Sequence, residues 1–403
     1  MSTTFKRFSS ALVLTALLAL GSIANADIFT GAGDGTSWED PLNWAAGVVP
    51  ANNSTNILIN GDHDVVYSAA TWDFLQINGL AQSATQHRVS RFLLNENTGA
   101  GPLGVNSITF DFADPNDPTA VRELLATNAT SSVWGGRPGT ETVINLISGT
   151  VNTGSRDQLG GRADAVGVLN ITGGTWITGR SNMLLGSAAD LTENGSTGIL
   201  NISGGSLLTR EGLAIGATST MNVMGSSVVE IGIGSQGTVD GFWQQRAGGV
   251  LAVGLDAGGI TPIFVDDVGQ VDADGNNIGG DGIATFAAGS ILDPSDLGGF
   301  TTDVWVTVMT AEGGIVGAPT LTAAAVAAGW ESRIVGNDLE VMLVGGGAPL
   351  KGDINMDGEI DFFDIQPFID VLSAGGNQPE ADVDCDGAVT FFDIQPFIDL
   401  LAQ

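Results

Sequence analysis

Two acidic segments near the C-terminus combine residue types and spacing that suit the binding of a hard cation. They begin at Asp353 and Asp382, 29 residues apart, and 13 of their first 20 aligned positions are identical. Each opens with a twelve-residue loop that offers side-chain oxygens at positions 1, 3, 5, 9 and 12 and a backbone carbonyl at position 7. The candidate ligands are Asp353, Asn355, Asp357, Glu359, Asp361 and Asp364 in the first loop, and Asp382, Asp384, Asp386, Ala388, Thr390 and Asp393 in the second.

This spacing matches the coordination of Ca²⁺. The ion takes about six to eight oxygen ligands at roughly 2.3–2.6 Å, and a short loop supplies them only by curling round it. Position 6 has to turn sharply, and it is glycine in both loops, Gly358 and Gly387. An acidic turn without metal is the simpler alternative, but two copies in the same register favour calcium. We therefore predict two bound Ca²⁺ ions.

The residues on either side of the loops predict the secondary structure next to them. A helix should follow each loop, over residues 364–372 and 393–401, whereas the glycine-rich segment 345–350 leaves no room for a helix before the first loop. Apolar residues recur at helical spacing in both copies: Ile365, Phe368, Ile369 and Leu372, then Ile394, Phe397, Ile398 and Leu401. Such a core is small, so we expect calcium binding to supply much of the folding free energy.

The duplicated loop-and-helix segment, residues 351–403, resembles a type I dockerin. Both loops depart from the helix-loop-helix calcium motif in ending with aspartate instead of glutamate. The resemblance implies calcium-dependent docking to a cohesin module, with partner choice read at loop positions 10 and 11. Those positions carry phenylalanine pairs here, Phe362-Phe363 and Phe391-Phe392. We expect at least one ring of each pair in the core and the other to be an apolar anchor for the partner.

The N-terminus reads as a secretory signal over residues 1–26. Lys6-Arg7 precedes an apolar run from Ala11 to Leu20, and Ala24-Asn25-Ala26 forms a small-x-small cleavage site. We therefore expect a secreted or cell-surface protein with no membrane span in its mature chain. Cys385 is the single cysteine, so the chain has no intrachain disulfide.

The excess of acidic residues limits the kinds of ligand and macromolecule that the protein is expected to bind. The chain has 45 acidic against 13 basic residues, a formal net charge of −32. Bulk charge of this sign attracts divalent cations and disfavours nucleic acid and anionic membranes as partners.

The remainder of the chain is predicted to be mainly β. We expect an N-terminal β cap over residues 27–130, a repeat body with closing strands over 131–345 and a linker over 346–350. The opening segment from Gly31 to Trp38, together with Asn43-Trp44 and the run from Gly47 to Pro50, resembles the start of many secreted bacterial β-helix proteins, which implies a cap that covers the first edge of a solenoid.

An internal repeat indicates the architecture of the body. A phrase of the type Leu-Asn-Ile-Ser-Gly-Gly recurs around Asn145, Asn170, Asn201 and Asn222 at intervals of 25, 31 and 21 residues. One short strand, a glycine turn and a second strand in each coil suit a right-handed parallel β-helix. The asparagines should form a stacked ladder inside the coil or at a corner of it.

Arginines follow the first three phrases and are the candidate glycan-binding residues of the body. If the coils are in register, Arg156, Arg180 and Arg210 project on one side. Two interpretations remain open: salt bridges to Asp157, Asp164 and Glu211, or a groove for an acidic polysaccharide.

Three functions are compatible with these features. The leading one is a non-catalytic β-helix protein attached to a scaffold by its dockerin-like domain, because the chain has few residues suited to catalysis: two histidines, His63 and His87, one tyrosine, and no nucleophile motif. The second is a dockerin-bearing polysaccharide lyase or glycoside hydrolase active in polysaccharide catabolism, since β-helices host both. The third is a glycan-binding adhesin.

Overall fold

A computed structural model describes most of the chain. The described residues are 26–50, 56–60, 62–78, 86–89, 92–94, 105–114, 122–126, 132–135, 139–154, 156–161, 164–179, 182–186, 195–233, 241–266, 282–344, 351–352, 354–355, 360, 362–374, 378–383 and 388–401. The predicted linker and all but the last residue of the predicted signal segment lie outside them.

The chain divides into two compact units, described separately below. The first contains the residues up to Phe300 together with 306–325 and 332–341, and the second contains 301–305, 326–331 and 342–403.

Strands of the first unit build three long sheets, numbered here in chain order. The described strands of sheet I are β3 (Asp64–Ser68), β6 (Val105–Asp111), β9 (Glu141–Ser148), β12 (Val166–Ile171), β15 (Thr197–Ile202), β18 (Thr220–Met224), β21 (Val250–Leu255), β24 (Ile291–Asp296) and β27 (Thr320–Leu321). Those of sheet II are β4 (Gln86–Val89), β7 (Glu123–Ala126), β10 (Thr150–Asn152), β13 (Thr175–Thr178), β16 (Ser206–Thr209), β19 (Val228–Ile231), β22 (Ile263–Val265), β25 (Val306–Ala311), β28 (Trp330–Val335) and β29 (Asp338–Leu343). Those of sheet III are β1 (Ala26–Phe29), β2 (Asn56–Ile59), β5 (Phe92–Leu94), β8 (Ser132–Trp134), β11 (Asp157–Leu159), β14 (Met183–Leu185), β17 (Gly212–Ile215), β20 (Phe242–Gln245), β23 (Ile283–Phe286) and β26 (Ile315–Val316).

The helices are few and short. In the described residues they are α1 (Ala69–Ile77), α2 (Ala323–Ala327), α3 (Ile365–Ala374) and α4 (Ile394–Leu401), with 3-10 turns at Pro41–Asn43, Phe362–Asp364, Pro379–Ala381 and Phe391–Asp393. None of the helices within these ranges is long and apolar enough to cross a membrane.

Successive strands from β3 onward enter sheets I, II and III in turn, and neighbouring coils pair in parallel. This is the β-helix-like solenoid that the repeat predicts. Every second residue of a strand in sheet I points inward, and these residues stack from coil to coil: Leu169 is in register with Ile144 below and Leu200 above, and all three are fully buried.

The expectation of two strands in each coil was wrong, since each coil contains a third strand in sheet III. Strands such as β11 and β14 are three residues long and buried at every position. They therefore lack the alternation of buried and exposed residues by which the sequence reveals a strand.

The predicted asparagine ladder is present, but on the outer face of sheet I. Each amide nitrogen donates to the amide oxygen of the asparagine one coil earlier: Asn170 to Asn145 at 2.8 Å, Asn201 to Asn170 at 2.8 Å and Asn222 to Asn201 at 2.6 Å. The four asparagine side chains are partly exposed. The residues directly before and after each asparagine in its own strand point into the core.

The N-terminal segment covers the edge of the first coil. Trp38 N donates to Val66 O at 3.2 Å, and Val66 N donates to Thr36 O at 3.0 Å, so backbone groups of β3 pair with this segment. The cap is shorter than the predicted range 27–130, because β3 to β8 already belong to the three sheets. Loops of different length separate these coils, which hides the repeat before residue 131.

At the C-terminal end of the solenoid the strand pairing is no longer only parallel. β29 pairs antiparallel with β25, and β28 is hydrogen-bonded to β29, so these strands close the repeat body as the sequence predicts. Residues 323–327 form the short helix α2.

Candidate calcium loops and exposed phenylalanine pairs

The region of the two acidic loops has a small core of its own. Phe368 from α3 and Phe397 from α4 are each 3% exposed and pack with Ile354 and Ala381. Ile365, Leu372, Ile394 and Leu401, which were predicted to face this core, are partly buried against it. The remaining two predicted core residues, Ile369 and Ile398, are about half exposed, at 48% and 49%.

In the first loop, the position-12 carboxylate closes the loop on itself. Asp364 is fully buried, and its Oδ1 accepts hydrogen bonds from Ile354 N at 2.7 Å and Asn355 N at 3.0 Å. Loop position 12 is thereby held beside positions 2 and 3. A twelve-residue loop has to curl in this way if it is to surround an ion.

The second loop has a related closure at its end. Asp393 is fully buried, and its Oδ2 accepts from Thr390 N at 2.8 Å, while Thr390 Oγ1 accepts from Phe392 N at 3.2 Å. This reciprocal capping box starts the 3-10 turn that leads into α4. The Thr390 and Asp393 side chains, at loop positions 9 and 12, are held on one side of that turn.

Half of the predicted ligands lie within the described residues: Asn355, Asp364, Asp382, Ala388, Thr390 and Asp393. The other half lie outside them: Asp353, Asp357, Glu359, Asp361, Asp384 and Asp386. The described part of the chain contains no group of three or more histidine, cysteine or acidic side chains arranged for a metal ion.

The described donors fit a hard cation chemically. They are oxygen atoms, and the two position-12 carboxylates are buried, where an ionised carboxylate is costly without hydrogen bonds or a cation. Asn355, Asp364, Asp382, Thr390 and Asp393 would hold Ca²⁺ through side chains, and Ala388 would offer its carbonyl.

The phenylalanine pairs are arranged differently from what the sequence indicated. Phe362, Phe363, Phe391 and Phe392 are 78%, 71%, 80% and 77% exposed, so the expectation that one ring of each pair is in the core was wrong. The core is filled by Phe368 and Phe397 instead. Each exposed pair lies in the 3-10 turn that ends its loop, directly before the helix, at the same position in both copies.

The arginines of the body do not form the expected column. Asp157 pairs with Met183, which pairs with Leu213, so Arg156 is level with Asn182 and Gly212 and not with Arg210. Arg156 Nε donates to Asn182 Oδ1 at 2.9 Å. Arg180 lies outside the described residues. The loops between sheets II and III differ in length, which shifts the register of these side chains.

Asp157 is a buried acid, not the surface partner of Arg156 that the sequence indicated. It is fully buried, and its carboxylate accepts from Trp134 Nε1 at 3.0 Å, Trp176 Nε1 at 3.1 Å and Thr153 Oγ1 at 2.8 Å. Burial raises the pKa of Asp157 to about 6, although these hydrogen bonds act in the opposite direction. Because every position of this short strand is buried, the sequence carries no alternation that would have shown Asp157 to point inward.

His87 and Tyr67 form a second buried polar pair. Tyr67 Oη lies 2.6 Å from His87 Nδ1, both side chains are fully buried, and burial lowers the pKa of His87 to about 4. Both residues lie in the interior of the first coils, shielded from solvent.

No protein-family model, curated protein or solved structure matches this chain.

Proposed function

We propose that this protein is a secreted, non-catalytic β-helix protein that attaches to a cohesin-like partner through a calcium-dependent, dockerin-like C-terminal domain. The observation that carries the proposal is the exposure of four phenylalanines, between 71% and 80%, at positions 10 and 11 of two acidic loops. The solenoid, in this proposal a right-handed β-helix, is the cargo that the domain attaches.

Exposed aromatic rings at duplicated positions favour a docking role. A protein gains nothing for its own stability from a ring that remains in water, and large rings buried on association commonly dominate binding free energy. Each copy has a further apolar residue that is about half exposed, Ile369 in the first and Ile398 in the second. It follows the first phenylalanine of the pair by two helical turns. Each copy thus presents an apolar strip from the 3-10 turn along its helix.

Calcium would control this surface through the loops. When bound, the ion supplies positive charge to the position-12 carboxylates Asp364 and Asp393. Each of these residues directly follows a phenylalanine pair, so the residues that close the loops also fix the backbone that carries the rings. Loss of calcium should therefore disorder the docking surface.

The test is a binding measurement with the full chain. Immobilised protein is incubated with the extracellular proteins of its host in calcium or in chelator, and the captured cohesin-like partner is purified and titrated. Phe362→Ser combined with Phe391→Ser should weaken binding at least about 30-fold, since one lost hot spot is worth about 2 kcal/mol. Ile77→Ser, which removes an apolar side chain that is 85% exposed on α1, is the matched control and should have no effect.

Two results would count against the proposal. Equal capture of the partner in calcium and in chelator would contradict calcium control. Unchanged affinity of the double phenylalanine variant would show that the docking surface lies elsewhere.

A further inference from the structure

The strand β28 forms one edge of sheet II. In the part of the chain that the structure describes, its one neighbour in the sheet is β29. Gly336 and Asn337 alone connect the two strands, and a connection this short joins antiparallel strands. The side of β28 that faces away from β29 therefore presents an open row of backbone groups.

The backbone groups that face outward belong to the even-numbered residues of β28. Just before the strand, Gly329 O accepts a hydrogen bond from Val344 N at 2.8 Å, which fixes the alternation of the pairing. In an antiparallel pair, every second residue exchanges hydrogen bonds with the neighbouring strand. The odd-numbered residues thus face β29, while the N–H and C=O groups of Ser332 and Ile334 point away from it.

The exposed side chains of β28 carry opposite charges two positions apart. Glu331 and Arg333 are both exposed, and Val335 next in this row is 50% exposed. Alternate residues of a strand project from the same face of a sheet. Arg333 Nε donates to Glu340 Oε2 at 2.6 Å, so this is the face of β28 that Glu340 of β29 also occupies.

These charges select one register for pairing with a second copy. When two copies of β28 lie antiparallel with Ser332 opposite Ser332, Glu331 of each copy lies opposite Arg333 of the other. Moving the centre by one residue in either direction places Arg333 opposite Arg333, or Glu331 opposite Glu331, and like charges repel. The register centred on Ser332 also joins the outward backbone groups and sets Trp330 opposite Ile334 on the other face.

We propose that β28 is a dimerisation edge, at which two copies of this chain associate by antiparallel strand pairing centred on Ser332. Charged side chains on an edge strand commonly prevent such pairing, whereas charges that match their own two-fold copy permit it. The net charge of −32 opposes association, so the contact depends on this local complementarity. A single strand pair is a small interface, and we expect a weak dimer.

The test is sedimentation velocity of the full chain in calcium over a range of protein concentrations. The unmodified chain should form a dimer as its concentration rises. Arg333→Glu should raise the dimer dissociation constant at least about tenfold, because it places like charges opposite each other in both cross-strand pairs. Arg210→Glu makes the same change in net charge away from β28 and should alter the constant less than about twofold.

Two further variants distinguish charge pairing from a folding defect. Glu331→Arg alone should weaken the dimer as Arg333→Glu does, but a mixture of these two proteins should form a heterodimer, since one carries only arginines and the other only glutamates at the two positions. Glu331→Arg combined with Arg333→Glu in one chain should restore the dimer, although the contact of Arg333 with Glu340 is lost.

The outcomes separate this inference from the proposed function. A chain that stays monomeric at the highest attainable concentration, or a dimer that Arg333→Glu leaves intact, overturns the inference. A dimer lost in the Phe362→Ser and Phe391→Ser variant but not in Arg333→Glu would overturn it by moving the contact to the phenylalanine pairs. Arg333→Glu should leave capture of the cohesin-like partner unchanged, so either proposal can fail without the other.

Discussion

Phe368 and Phe397 stack face to face, with ring centroids 4.4 Å apart and an interplanar angle of 17°. They occupy equivalent positions in the two copies of the calcium segment, 29 residues apart. Each copy therefore buries its central ring against the same ring of the other. This contact explains in physical terms why the segment is duplicated, because one copy alone would leave its phenylalanine exposed.

The first prediction concerns this stack. Phe397→Ala should destabilise the C-terminal region by about 3–5 kcal/mol, the usual cost of deleting a buried phenylalanine ring. Hydrogen exchange of the full chain in calcium should then show faster exchange of backbone amides in both α3 and α4. The matched control is Phe392→Ala, which removes a ring that is 77% exposed and should leave exchange unchanged. Faster exchange confined to α4 would contradict the mutual dependence of the copies.

The second prediction concerns the asparagine ladder on sheet I. Asn201 donates to Asn170 and accepts from Asn222, whereas Asn222 makes a single ladder bond and faces Ala252 on the next coil. Asn201→Ala should therefore cost about 2 kcal/mol of unfolding free energy and Asn222→Ala about 1 kcal/mol. Denaturant titration of both variants measures the ratio. Equal losses would mean that the ladder bonds contribute nothing beyond the loss of the side chain.

The asparagine ladder was predictable from the sequence. The reason it was predictable also explains why the arginine column was predicted wrongly. The asparagines stand in phrases that alternate apolar and polar residues, and similar phrases stack in register. The repeat determines the register of residues only within the strands. Arg156 follows a loop, so its level on the solenoid depends on loop length, which repeats do not conserve.

The exposure of the phenylalanine pairs could not be predicted from their apolar character. Helical spacing identifies Phe368 and Phe397 as core, but a core this small accepts only some of the apolar residues around it. Which ones are excluded is decided by packing between the copies. Phe362 and Phe391 lie in the 3-10 turns before the helices and remain exposed.

The third prediction concerns the glycine turns of the repeat. Gly205 has a φ of +72°, and a Cβ there would lie 2.3 Å from the backbone oxygen of Gly174 on the preceding coil. Gly205→Ala should cost at least about 3 kcal/mol, since backbone strain and a backbone clash add. Gly336 is the matched control: its φ is +61°, but no atom lies within 4 Å of an added Cβ.

Gly336→Ala should cost only the conformational strain, about 1–2 kcal/mol. Thermal unfolding of both variants provides the comparison. If the two substitutions have the same effect, contact between stacked turns does not constrain the second glycine of the repeat.

The last prediction concerns the pH dependence that the buried Asp157 gives to the solenoid. The pKa of this carboxyl is about 6 in the folded chain, against an ordinary value of 3.8, because burial disfavours its charged form. Between these two values the folded protein binds a proton that the unfolded chain has released. The contribution of Asp157 is thus fully present below about pH 4 and is lost as the pH rises through about 6, by roughly 3 kcal/mol in total.

Asp157→Asn isolates this contribution, because asparagine keeps the shape of the side chain and does not titrate. The stability advantage of the unmodified protein over the variant should shrink by roughly 2 kcal/mol between pH 4 and pH 7. His87, whose pKa burial lowers to about 4, acts in the opposite direction but is common to both proteins and cancels. Denaturant titrations at four pH values measure the difference. A constant difference across this range would mean that Asp157 stays ionised between Trp134 and Trp176, held by their indole N–H groups against the cost of burial.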